Sequence, residues 1–173
     1  MSLAAKLNAM DEAEARAALT NCCAATAWVA GVLARRPFAD DAAVFAAAEA
    51  TAATLGEADW LEAFAAHPLI GDLESLRRTY AATKQFAAGE QAGVAGAGET
   101  VLEELAQLNR DYLQRFGLIF IVFATGKDAA EILAILQSRI GNRRDEELRN
   151  AAAEQMKITR LRLERLSPDA GEA

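Results

Sequence analysis

The stretch AAVFAAAEATAATL, residues 42–55, indicates the fold class of this chain. Most of it is alanine, which has the highest intrinsic helix propensity of the amino acids. The stretch therefore predicts a helix, with Asp40 or Asp41 as its N-cap and Gly56 as its stop. Because similar alanine-rich sequence fills the first half of the chain, we predict an all-α fold.

Further helices follow, separated by residues that begin or end helices. Asp59 can cap a short helix, which Pro68 must end near residue 66 or 67. Helical periodicity or capping predicts four more helices, at about 73–86, 99–117, 128–141 and 144–166. The glycine-rich stretch 87–100 predicts one helical turn between loops.

The apolar run LIFIVF, residues 118–123, does not fit the helical pattern. The sequence offers no second strand-like run to pair with it, so we predict extended backbone packed against helices. At this chain length a single compact multi-helix domain is expected. We place that domain at residues 1–166 and a frayed tail at 167–173.

Composition narrows the classes of function. The formal net charge of −7 makes a broad attraction to nucleic acid or an anionic membrane unexpected. The N-terminal segment is too charged for a secretory signal, and no apolar run approaches the roughly 18 residues of a spanning helix. We therefore expect a soluble, cytoplasmic protein.

Metal and nucleotide cofactors are also not expected. One histidine and the two adjacent cysteines, Cys22 and Cys23, cannot supply an ordinary structural zinc site. No glycine-rich phosphate loop leads into a helix. Neighbouring helical cysteines point apart, so a mutual disulfide is not expected either. The simplest prediction is a protein without metal or cofactor.

His67, the only histidine, precedes Pro68 in the stretch HPLIGD, residues 67–72. The proline excludes His67 from the α region, and the following P-x-x-G restricts the loop. Two interpretations remain open. His67 is either a general acid or base held at a defined place, or a helix-ending residue whose cation is favoured by nearby carbonyl groups.

Arg162 is predicted to face the apolar side of the last helix. At 100° per residue it projects near the middle of that face, whereas Arg160 points to the opposite side. The face comprises Leu148, Ala151, Ala152, Ile158, Leu163 and Leu166. A guanidinium in apolar surroundings needs a carboxylate or an anionic ligand, unless its head extends out to water. All three alternatives stay open at this point.

Glu90 and Gln91 lie in the glycine-rich stretch. A glutamate there often forms a capping box with Ser or Thr three residues earlier, but position 87 is alanine. The pair is therefore either a solvated surface pair or functional.

Taken together, these motifs resemble the OHCU decarboxylase family, whose substrate is 2-oxo-4-hydroxy-4-carboxy-5-ureidoimidazoline. The resemblance covers most of the chain, and the order and spacing of its motifs make it specific. The motifs are NCC at 21–23 with Trp28, ARRPF at 34–38, AHPLIGD at 66–72, EQAG at 90–93, LNRDYLQRFG at 108–117, Phe120-Ile121, IGN with Arg143, and KITRLRLERL at 157–166.

The resemblance implies which residues form the site. His67, Glu90 and Arg162 correspond to the family's catalytic residues. Its substrate-binding positions correspond to Pro68, Gln91, and the main chain of Phe120 and Ile121. The family's Trp-Ser pair before Glu-Gln is replaced here by Phe86 and Ala87, so the role of the serine hydroxyl does not carry over.

The resemblance also implies the activity, which is cofactor-independent decarboxylation of the ureidoimidazoline to (S)-allantoin and carbon dioxide. It implies a homodimer acting on a small-molecule substrate. Two other functions stay open on the residues alone: a non-catalytic helical ligand-binding or interaction module, and hydrolysis of the preceding hydroxyisourate intermediate.

Overall fold

The computed structural model describes residues 1–69, 72–87 and 92–167. In these ranges the chain forms nine helices and no strand, which confirms the predicted all-α fold. The helices are α1 (Leu3–Ala9), α2 (Glu12–Cys22), α3 (Thr26–Leu33), α4 (Asp41–Ala52), α5 (Glu57–Ala65), α6 (Leu73–Ala87), α7 (Ala92–Phe116), α8 (Ala129–Arg139) and α9 (Arg144–Leu166).

The helices are grouped in two compact units. One comprises Met1–Ala66 with Ala152–Ala173, and the other comprises His67–Ala151. None of the helices in the described ranges is both long and apolar enough to span a membrane.

Small residues in the first unit allow α3 and α4 to pack closely. A Cβ atom on Gly31 would lie 2.5 Å from Cγ2 of Thr51, a distance that real side chains do not tolerate. The indole N–H of the fully buried Trp28 donates to the carbonyl of Ala48 at 3.1 Å. Most of the alanine-rich stretch is helical, as predicted. Its small side chains give α4 a surface on which a large aromatic residue packs.

Both candidate caps of α4 accept hydrogen bonds from main-chain N–H groups, but the donors belong to different helices. Asp40 is the N-cap, and its Oδ1 accepts from the N–H of Ala43 at 2.8 Å. Asp41 instead accepts from the N–H of Ala4 in α1 at 2.8 Å. The prediction that Gly56 ends α4 was wrong, because Gly56 is the N-cap of α5 and donates its N–H to Asp59.

The Asp41 carboxylate makes stability depend on pH. Its pKa is lowered, chiefly by the hydrogen bond from Ala4. A lowered folded-state pKa contributes stability that is present above the unfolded pKa and lost as the pH falls through the folded value. We therefore expect Asp41→Ala to lower the free energy of unfolding at pH 7, with the deficit shrinking below about pH 4. Urea denaturation from pH 2 to 7 measures this, and a deficit that does not change with pH would contradict it.

In the second unit, α7 and α8 are joined by a non-helical segment. Gly117 ends α7 as predicted, in the left-handed conformation with φ +68°. Asp128 caps α8 through its hydrogen bond from the N–H of Glu131. The apolar run between them is non-helical and mostly buried.

The start of α7 differs from the prediction. The sequence placed loops and one helical turn before Glu99, whereas α7 already begins at Ala92. The helix therefore includes Gly93, Gly96 and Gly98, although each costs about 1 kcal/mol relative to alanine. The alanines that alternate with these glycines have the opposite preference, and the prediction gave them too little weight.

Candidate functional site

His67 follows the C-terminal end of α5. The helix ends at Ala65 with Ala66 as its C-cap, as the position of Pro68 predicted. His67 is half-buried, while Pro68 and Leu69 are exposed. The helix end that bears His67 is thus partly open to solvent, as proton exchange with a small molecule requires.

Glu62, one turn before the end of α5, fixes α5 to α3. Its carboxylate accepts from the N–H of Thr26 at 3.0 Å and from the Thr26 hydroxyl at 2.6 Å. These two hydrogen bonds lower the pKa of Glu62, the hydroxyl contributing most. The first of them also satisfies the N–H of Thr26 at the start of α3, whose own N-cap residue, Ala25, offers no side-chain acceptor.

Arg162 is half-buried and contacts the C-terminal end of α2. Its Nη1 donates to the carbonyls of Asn21 at 3.2 Å and Cys22 at 3.4 Å. Both acceptors are the terminal carbonyls of a helix, which carry only partial negative charge. In the part of the chain that the structure describes, no carboxylate pairs with Arg162, so its positive charge is not neutralised there.

The buried side of α9 differs from the predicted apolar face. Its buried residues recur every fourth position: Glu147, Ala151, Gln155, Thr159 and Leu163. Arg162 therefore lies beside this stripe and not in the middle of the buried face. Arg160 does point outward as predicted, with 55% of its side chain exposed. The phase error arose because buried polar residues were not counted as part of the face.

The two cysteines next to Arg162 are poorly placed to act as nucleophiles. Cys22 and Cys23 are free thiols and fully buried. Burial raises the pKa of Cys22 to about 12, although the charge of Arg162 acts in the opposite direction. Since the thiolate is the nucleophilic form, neither cysteine suits covalent catalysis near neutral pH.

Phe120 and Ile121 lie in the non-helical segment between α7 and α8 and are buried, with 3% and 2% of their surfaces exposed. The carbonyl of Ile121 accepts from Nη1 of Arg139 at 2.8 Å. Within the described ranges, the main-chain N–H groups of both residues lack a protein acceptor. Buried N–H groups are almost always paired, so these two donors are suited to a ligand or water.

Glu90 and Gln91, predicted to be functional, lie outside the described residues. Phe86 and Ala87, which replace the family's Trp-Ser pair, are the last two residues of α6.

Arg139 and Glu147 form a buried ion pair that apolar periodicity does not predict. Helical phase could have revealed Arg139, because it follows Ile132 and Leu136 on the buried side of α8. Glu147 could have been found similarly, since it precedes the buried Ala151 by one turn of α9.

The predicted site residues belong to both units. His67, Pro68, Phe120 and Ile121 are in one unit, and Arg162 is in the other. Their convergence on one pocket stays a prediction. Nowhere in the described ranges do three or more His, Cys, Asp or Glu side chains form a group able to hold a metal ion.

Comparison with known proteins identifies a family. The model of the family described as OHCU decarboxylase matches residues 8–164. The uric acid degradation bifunctional protein TTL of Arabidopsis thaliana is 35% identical over 148 residues, which are 86% of this chain and 46% of that protein. The 2-oxo-4-hydroxy-4-carboxy-5-ureidoimidazoline decarboxylase of Xenopus laevis is 33% identical over 97 residues, 56% of this chain and 55% of that one. The chain thus spans about half the length of these curated relatives.

Solved structures resemble the chain as well. A crystal structure of OHCU decarboxylase in the presence of (S)-allantoin is 36% identical, has a TM-score of 0.65, and matches over 85% of this chain and 94% of that one. A crystal structure of (S)-allantoin synthase has a TM-score of 0.66 over 94% of this chain and 53% of that chain. At 21% identity, the second structure supports the fold alone.

Proposed function

Because this chain belongs to the OHCU decarboxylase family, we propose that it converts 2-oxo-4-hydroxy-4-carboxy-5-ureidoimidazoline to (S)-allantoin and carbon dioxide. The family match over residues 8–164 is the observation that carries the proposal. The environment of Arg162 supports it, since a half-buried guanidinium whose described partners are neutral carbonyls suits an anionic substrate.

The chemistry of the substrate explains why no cofactor is needed. The carboxylate leaves from a carbon that bears a hydroxyl group and adjoins a carbon–nitrogen double bond. The electron pair released with carbon dioxide flows into that double bond, whose nitrogen takes up a proton. The resulting enol then loses its hydroxyl proton and gains a proton on one face of the adjoining carbon, which gives allantoin. The protein therefore has to bind an anion, stabilise developing charge and control a proton.

We assign the role of anion anchor to Arg162. Its Nη1 donates to the carbonyls of Asn21 and Cys22, while the other guanidinium nitrogens have no protein partner in the described ranges. A planar guanidinium can donate two parallel hydrogen bonds to a carboxylate or to carbonyl oxygens. In our proposal these are anionic or carbonyl oxygens of the substrate.

We assign proton handling near the substrate hydroxyl to His67, because an imidazole titrates near neutral pH and this one is only half-buried. Pro68 holds it in place from the next position. Glu90 and Gln91 bind the ureido and ring nitrogens in this proposal. The main-chain N–H groups of Phe120 and Ile121 are donors to substrate oxygen and add no charge.

We further propose that residues 1–166 form one domain and that the protein acts as a cytoplasmic homodimer, as the family resemblance implies. Light scattering of the purified protein measures the oligomeric state, and a monomer at assay concentration would contradict the dimer.

The proposed reaction can be tested with intermediate generated in situ from urate. The purified protein should accelerate its disappearance in proportion to protein concentration, without added metal or cofactor. A decay rate equal to that of the buffer control would refute the proposal. If the protein instead speeds the conversion of hydroxyisourate to the ureidoimidazoline, and the ureidoimidazoline accumulates, the protein is the alternative hydrolase. The compounds present are therefore identified at each time point.

Ligand binding separates the enzyme from a helical interaction module. We expect (S)-allantoin to raise the Tm of the wild-type protein, since a ligand that binds only the folded state stabilises it by mass action. At 100 times its Kd, the stabilisation amounts to about 2.7 kcal/mol. Differential scanning fluorimetry over a range of allantoin concentrations measures the shift. Arg162→Gln should reduce it, whereas a shift of the same size in both proteins would place the binding elsewhere.

A further inference from the structure

The buried carboxylate of Glu147 has hydrogen-bond donors on both oxygens. Arg139 Nε and the Tyr112 hydroxyl donate to Oε2 at 2.8 Å and 2.5 Å. Asn142 and Asn150 donate to Oε1 at 2.7 Å and 2.8 Å. Burial alone would raise the pKa of Glu147, but these hydrogen bonds, led by that from Arg139, lower it overall. Glu147 is therefore a fixed negative charge in the interior of its unit.

Arg139 connects this charge to the non-helical segment between α7 and α8. While Nε contacts Glu147, Nη1 donates to the carbonyl of Ile121 at 2.8 Å and Nη2 to the hydroxyl of Tyr112 at 3.3 Å. The guanidinium carbon lies 4.8 Å from the ring centroid of Phe120. Phe120 also packs edge-on against Tyr112, with ring centroids 5.3 Å apart.

These contacts hold Phe120 and Ile121 in place within the segment. The cation–π contact and the edge-on aromatic contact locate the ring of Phe120, and the Arg139 hydrogen bond locates the carbonyl of Ile121. The intervening peptide is therefore held from both sides. The main-chain N–H groups of the same two residues are the donors that have no acceptor in the described ranges.

We propose that Arg139 is a positioning residue, which Glu147 and Tyr112 orient so that it holds the Phe120–Ile121 main chain in the conformation that binds substrate. This inference rests on the proposed function. It adds that the Phe120 and Ile121 N–H groups are the donors offered to the substrate, while the Ile121 carbonyl accepts from Arg139. The substrate group facing the segment is then an acceptor, such as a ring or ureido carbonyl oxygen.

Arg139→Lys tests the inference directly. Lysine keeps the positive charge, but its single ammonium group cannot bond Glu147, Tyr112 and Ile121 in the planar fork of arginine. We expect KM to rise about tenfold and kcat to change less than about threefold, because the N–H donors bind ground state and transition state alike. Initial rates over a range of substrate concentrations, measured well below the Tm of the variant, give both constants.

Two more variants keep the test decisive. Tyr112→Phe retains the ring and the Arg139–Glu147 pair but removes the two hydrogen bonds of the hydroxyl, to Glu147 and from Arg139, so we expect a smaller rise in KM, of about threefold. Leu102→Ala is the control for general destabilisation, since Leu102 is buried on α7 about 15 Å from Tyr112 along the helix. It should lower Tm without changing KM.

The outcomes separate this inference from the proposed function. If the wild-type protein does not accelerate the reaction, both are refuted. If it is active and both Arg139→Lys and Tyr112→Phe keep the wild-type KM, only the positioning role is refuted. An equal loss of kcat in Arg139→Lys and Leu102→Ala, with KM unchanged, would show that Arg139 is merely structural. Should Arg139→Lys fail to fold, Tyr112→Phe alone decides.

Discussion

His67→Ala is expected to lower kcat at least about 100-fold, the usual contribution of general acid–base catalysis. The variant removes the only imidazole in the chain, and imidazole is the side chain whose ordinary pKa suits proton transfer near neutral pH. Steady-state rates at saturating substrate measure the loss. Added imidazole should restore part of the activity, because a small base can enter the space that the side chain leaves.

The alternative role of His67, ending a helix, predicts a different result. In that case His67→Ala would lower Tm and leave kcat near the wild-type value. Leu69→Ala is a suitable control, because Leu69 lies two residues further along the same loop and is 50% exposed. It should keep wild-type kcat, and near-wild-type activity in His67→Ala would remove His67 from the mechanism.

Arg162→Gln is expected to lower kcat/KM by about 100-fold to 1,000-fold, the range observed when one preorganised donor to a developing anion is removed. Glutamine can still donate to the terminal carbonyls of α2. The loss of kcat/KM therefore measures the contribution of the positive charge and the second guanidinium nitrogen more than an effect on folding. Arg162→Lys should recover only part of the activity, because an ammonium group cannot form two parallel hydrogen bonds.

Arg160→Gln provides a matched control for the same change of charge on the same helix. Arg160 is more than half exposed, lies 4.5 Å from the ring centroid of Phe45 and pairs with Glu164. Exposed pairs of this kind contribute little, so kcat/KM should stay within about twofold of wild type. Equal losses in the two variants would mean that Arg162 acts only through the net charge.

Local sequence rules predicted much of the fold. Asp40, Asp128 and Gly117 begin or end helices where capping chemistry places them. Gly56 shows a limit of these rules, since a glycine between two helices can end one or begin the next. Its φ of −87° is open to any residue, so nothing about the glycine itself decides between these roles.

The site was predicted less completely, for two physical reasons. Periodicity misplaced the inward side of α9, because it counted apolar residues alone. Several buried positions there are polar, such as Glu147 and Thr159, and their partners come from distant segments. The Arg139–Glu147 pair was not predicted for the same reason. Secondly, His67 and Arg162 are far apart in the chain, and helix rules do not bring distant residues together. Only the resemblance to the family motifs predicts that they share a site.

The stereochemistry of the product tests the central claim most directly. Uncatalysed decay of the intermediate gives racemic allantoin, so an enzyme that controls protonation must give one enantiomer. Urate is converted to the intermediate in situ, the purified protein is added, and allantoin is analysed by chiral chromatography or circular dichroism. We predict (S)-allantoin in large excess, formed faster than in the buffer control. Racemic allantoin formed at the uncatalysed rate would contradict the assignment.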